Sequence, residues 1–89
     1  MISKELTIIN KLGLHARAAA KFVSLASSFN SEIHVAKDGK TVNGKSIMGV
    51  MMLAASQNTK ITLIVEGEDE KLALEKIQNL ITDRFGEDE

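Results

Sequence analysis

The sequence predicts an α+β fold, an open-faced β-sandwich in which helices cover the apolar face of one sheet. Three observations predict it: segments where apolar and polar residues alternate, segments with helical apolar spacing, and their order β-α-β-β-α-β-α along 89 residues. Four half-wet strands call for an antiparallel or mixed sheet with one covered face. A chain of this length has material for a single hydrophobic core, so one domain, 1–89, is expected.

Ile2, Leu6 and Ile8 alternate with Ser3, Glu5 and Thr7, which predicts a first strand over residues 2–9 despite Lys4. The pattern then changes to Ala19, Phe22, Val23 and Ala26, one stripe of an Ala-rich helix over 16–28. Ile33 and Val35 resume alternation, and Asp38-Gly39 supplies the positive-φ pair of a tight turn before Lys40-Thr41-Val42. Asn43-Gly44 marks another turn, and Ser46 is placed to cap a short apolar helix, Ile47 to Leu53. Ile61, Leu63 and Val65 form a fourth strand. Acidic Glu68-Asp69-Glu70 opens a last helix with Leu74, Ile77 and Ile81 inward, ended at Arg84 and Gly86. Glu87-Asp88-Glu89 is expected to fray.

Composition removes several functions. Eleven basic against twelve acidic residues leave a formal charge of −1, without the positive field that generic nucleic-acid binding needs. With no Cys, thiolate catalysis and Cys-based metal centres are excluded, and two His without a carboxylate pair make a metal site unexpected. Three Phe are the whole aromatic content, too few for stacking platforms. The longest apolar run, Ile47 to Ala55, is far short of a bilayer span, so a cytoplasmic protein without membrane insertion is expected. No cofactor is implied. No elbow motif or triad spacing links Ser, His and acid residues, so hydrolysis is unsupported. His34, between inward Ile33 and Val35, is expected on the wet sheet face with no role.

The informative segment is Lys11-Leu12-Gly13-Leu14-His15-Ala16-Arg17. A helix beginning just after His15 offers unpaired N–H groups and a positive dipole end, a ready place for an anion. The same field disfavours imidazolium, which predicts a pKa at or below the ordinary ~6.5 and a ring lone pair free for nucleophilic attack. Arg17 adds positive charge where the helix is already positive, a penalty an anion would cancel. From spacing alone, a loop His and a solvated Arg are the commoner reading, and the phosphate site is the minority one. Ile47, Met48, Met51 and Met52 cannot all turn inward on so short a helix, so an exposed apolar patch is expected, with Val50 and Leu53 in the core. Lys40, Thr41 and Lys45 are candidates to support that patch.

Asn10 to Arg17, followed by Gly44-Lys45-Ser46-Ile47-Met48-Gly49-Val50-Met51-Met52-Leu53, resembles the HPr family, the phosphocarriers of the bacterial phosphoenolpyruvate-dependent sugar phosphotransferase system. The likeness spans essentially the whole chain. It implies a four-stranded antiparallel sheet with three helices on one face, and a carrier with no turnover of its own. It places the phosphoryl-accepting histidine on His15, with neither ring nitrogen singled out, and the phosphate-stabilising groups on Ala16 and Arg17. Enzyme I and EIIA domains are the implied partners of a chain expected to be monomeric. Ser46 falls on the serine modified by HPr kinase/phosphorylase, and Ile47, Met48 and Met51 on the partner-docking surface. Lys45-Ser46-Ile47-Met48-Gly49 favours this regulated type over a nitrogen-branch phosphocarrier. Position 18 is Ala where the family commonly has Pro, a change that alters rigidity while still permitting helix. Two other readings are a mainly regulatory protein acting through Ser46 and a ligand sensor of ACT-like design, which the additional helix and the His15 loop disfavour.

Overall fold

Alternating sequence becomes alternating burial in the computed structural model, which describes residues 1–89. The strands are β1 (Ile2–Thr7), β2 (Glu32–Lys37), β3 (Lys40–Asn43) and β4 (Lys60–Glu66); the helices are α1 (Ala16–Ser27), α2 (Ile47–Met52) and α3 (Glu70–Thr82). All strand pairs are antiparallel, in the order β1-β4-β2-β3. Leu6, Ile33, Val35, Ile61, Leu63 and Val65 are buried, whereas His34, Thr62 and Ile64 between them are half-buried on the opposite face. The open-faced architecture is therefore as the periodicity predicts.

The core joins those strand residues to Ala18, Ala19, Phe22 and Ala26 of α1, Val50 of α2 and Ala73, Ile77 and Ile81 of α3. Leu74, expected inward, is only partly buried; Ala73 takes the central place because its small side chain lets α3 approach the sheet. Asp38 and Gly39 have φ of 51° and 81°, the left-handed pair required by the β2–β3 turn. Asp69, at the start of α3, ties α3 to the end of α1: its carboxylate accepts from the N–H groups of Asn30 (2.9 Å) and Ser31 (3.0 Å) and from the Ser31 hydroxyl. The Ser31 hydroxyl first, and the Asn30 N–H next, hold this carboxyl below its usual range.

The expectation of a frayed end is overturned. After α3 the chain makes one tight turn, Arg84–Gly86, with φ of 56°, 55° and 76° at Arg84, Phe85 and Gly86. Two successive non-glycine residues in this region cost about 1–2 kcal/mol each. Phe85 offsets that cost because its ring is fully buried, and Lys21 Nζ donates to its carbonyl at 2.6 Å. Beyond the turn, Lys11 N–H donates to the Glu89 carbonyl at 2.9 Å, and Lys11 Nζ lies 3.1 Å from the Glu89 carboxylate. The final residues are thus folded back onto the loop between β1 and α1. No helix is long and apolar enough to cross a membrane.

Candidate functional site

The β1–α1 loop is shaped by Asn10 and Gly13. The Asn10 side chain is fully buried and donates through Nδ2 to the Gly13 carbonyl at 2.9 Å. Gly13 has φ of 65° and lies so close to the Ala55–Ser56 backbone that a Cβ would come within 2.8 Å of Ser56 Cα. No other residue fits there without moving one segment. Leu14 N–H then donates to the Ala55 carbonyl at 2.8 Å, fixing the residue immediately before His15.

His15 is the residue that caps α1. Its backbone is extended (φ −73°, ψ 177°), and its carbonyl accepts from Ala19 N–H at 2.8 Å. The N–H groups of Ala16, Arg17 and Ala18 donate to no protein acceptor, and of these the exposed Ala16 and Arg17 leave two donors open at the positive end of a twelve-residue helix, while Ala18 is buried. A proline at position 18 would lack one of these donors. Ala18 is buried, and α1 runs through it without interruption. Arg17 is exposed at the cleft mouth and makes no ion pair within the fold.

The cleft contains a group that sequence reading did not place there. His15 Nε2 hydrogen-bonds to Oε2 of Glu87, and Oε1 of the same carboxylate accepts from Asn10 Nδ2 at 3.0 Å. An ionised carboxylate only accepts, so Nε2 carries the ring proton in this contact and Nδ1 does not share in it. The His15 hydrogen bond, supported by that from Asn10, holds the Glu87 carboxyl below its ordinary range, against an opposing contribution from burial. Lys11, Leu12, Ala16, Arg17, Asp88 and Glu89 complete the cleft. The available signal for Glu87 was Phe85, one of only three aromatic residues, standing at the expected helix end two residues before it.

The second predicted group lies on α2, which packs against α1. Ser46 caps this helix, its Oγ accepting from Gly49 N–H at 3.2 Å. Ile47 (41%), Met48 (68%), Met51 (41%) and Met52 (63%) are exposed, while Val50 and Leu53 are buried, the division the short helix predicts. None of these residues lines the His15 cleft. Lys45 is not a free surface charge, because Nζ donates to the Phe29 carbonyl at 2.7 Å. No group of three or more His, Cys, Asp or Glu is arranged to hold a metal ion.

Residues 2–83 match a family model described as the PTS HPr component phosphorylation site. A phosphocarrier protein HPr from Cupriavidus necator is 51% identical over 89 residues, covering 100% of both chains. The crystal structure of HPr-C-His from Thermoanaerobacter tengcongensis has 49% identity, covers 100% of both chains and superposes with a TM-score of 0.96. Crh from Bacillus subtilis, described as a catabolite repression containing protein forming a swapped dimer, has 48% identity, covers 94% of this chain and 97% of its own, and gives a TM-score of 0.75. With its sheet order, its α1 start and the matched phosphorylation-site segment in agreement, this chain belongs to the HPr family of phosphotransferase-system phosphocarriers.

Proposed function

We propose that the protein accepts a phosphoryl group on His15 from phosphorylated Enzyme I and passes it to EIIA domains, without turnover of its own. The observation that carries this reading is the imidazole at the head of α1, followed by the unoccupied N–H donors of exposed Ala16 and Arg17. With Nε2 engaged by Glu87, Nδ1 is the nitrogen that attacks phosphorus. The N–H groups of Ala16 and Arg17 and the Arg17 guanidinium stabilise the transferred dianion in an open cleft. Openness suits a carrier, which must release what it accepts. Ile47, Met48 and Met51 form the apolar surface that docks the donor and acceptor proteins, and the carrier works as a monomer.

Ser46 is the site at which HPr kinase/phosphorylase adjusts this traffic. Its half-buried helix-capping position next to exposed Ile47 and Met48 favours regulation by added charge at the docking surface. The same position supports a second reading, a mainly regulatory protein acting through Ser46. Incubation with phosphoenolpyruvate and Enzyme I separates the two. The carrier gains an acid-labile phosphate that is absent from H15A; acid-stable phosphate on Ser46 alone, formed with ATP and the kinase, would select the regulatory reading.

A further inference from the structure

The Glu87 carboxylate is seated between two polar side chains that fix both of its oxygens. Asn10, fully buried and oriented by the Gly13 carbonyl, holds Oε1; His15 Nε2 holds Oε2. The buried Phe85 ring and the Lys11–Glu89 backbone hydrogen bond anchor this short segment on either side. The arrangement is a carboxylate–imidazole pair supported by a buried amide.

We propose that Glu87 is a positioning residue for phosphoryl transfer, holding the proton on His15 Nε2 so that the Nδ1 lone pair is presented for attack and the ring cation formed by attack is stabilised. This role rests on the phosphocarrier reading. As the Nδ1–P bond forms, the bond from phosphorus to the donor's leaving atom breaks and takes its electron pair with it. The ring, still bearing the Nε2 proton, becomes a cation, and the fixed carboxylate neutralises it. In onward transfer a nucleophile of the acceptor protein bonds to phosphorus as the Nδ1–P bond breaks, the electron pair of that bond returns to Nδ1, and the neutral Nε2–H ring is restored. Keeping the phosphorylated ring cationic makes it the better leaving group, so one carboxylate assists both directions.

Phosphoramidate, a small donor that needs no partner protein, tests this on the full-length chain. In that reaction the zwitterionic donor loses neutral ammonia as the ring becomes cationic, so charge balances. E87A should be phosphorylated roughly tenfold more slowly, the scale on which losing a partner that orients a reactive imidazole is felt. E87D should recover part of the rate. E87Q should be slower than E87A: Asn10 already claims the side-chain oxygen, which turns the amide NH2 toward Nε2 and favours the Nδ1–H tautomer. Ring 15N shifts at pH 8 should show the Nε2–H tautomer in the wild type and a mixture in E87A, with the backbone spectrum confirming that both are folded. An E87A rate equal to or above wild type, or an unchanged tautomer, would overturn the role. Rate gain in particular would mean that the carboxylate only repels the incoming anion. A wild-type chain that takes no phosphate at His15 would instead remove the phosphocarrier reading, and this role with it.

Discussion

Replacing Phe85 by Ala isolates the energetic basis of the folded-back end. The ring is fully buried, and truncating a buried Phe to Ala costs about 3–5 kcal/mol, including the cavity left behind. The substitution brings no compensating relief at the backbone, because Ala at φ 55° pays the same left-handed penalty as Phe. For a domain of this size each kcal/mol lowers Tm by about 4–8 °C, so a fall of roughly 12 °C or more is expected. Urea unfolding followed by circular dichroism gives the free energy, and coincidence with a second probe checks two-state behaviour. In the same variant the His15 ring resonances should move toward those of a solvent-exposed histidine as Glu87 leaves the cleft. A solvated tail would tolerate the change within about 0.5 kcal/mol. A loss below about 1 kcal/mol would therefore refute the anchoring role of Phe85.

Ser46→Ala should lose about 1 kcal/mol with its helix cap, whereas Ser46→Asp keeps a capping oxygen and should unfold near the wild type while accepting phosphate from Enzyme I more slowly. Met48→Asp should weaken docking to Enzyme I in a titration while shifting Tm by only a few degrees, since the side chain is 68% exposed; a collapse in stability would make it a core residue. Asp69 and Glu87 both have depressed carboxyl pKa values, so the stability they add is complete above their ordinary values of 3.8 and 4.5 and is lost as pH falls through the lower folded values. Acid titration should accordingly release the Phe85 turn and the α1–α3 tie below pH 4.5, with these two groups contributing no change between pH 6 and 8.

The parts of this molecule that are local in sequence were legible from it. Alternation in Ile33–Val35 and Ile61–Val65, the Asp38-Gly39 turn and the Ser46 cap each depend on neighbours a few residues away, and each forms where the pattern puts it. The helix start that carries His15 and Arg17 was visible for the same reason, while their reading as a site came from the family resemblance. Glu87 was not, because its contact with His15 spans 72 residues and depends on an improbable turn. Arg84 and Phe85 adopt positive φ only because burial of one aromatic ring outweighs the local preference, an outcome no propensity or charge pattern contains. The run Glu87-Asp88-Glu89 looked solvated by composition, yet its charges face the positive helix start, Arg17 and Lys11. Complementarity between distant segments is where periodicity arguments end.

The most direct test is to phosphorylate 15N-labelled protein with phosphoenolpyruvate and Enzyme I and read phosphorus–nitrogen coupling in the imidazole of His15. Coupling at Nδ1, with the proton retained on Nε2, is the predicted result. Phosphate bonded to Nε2, or found on any side chain other than His15, would contradict the account.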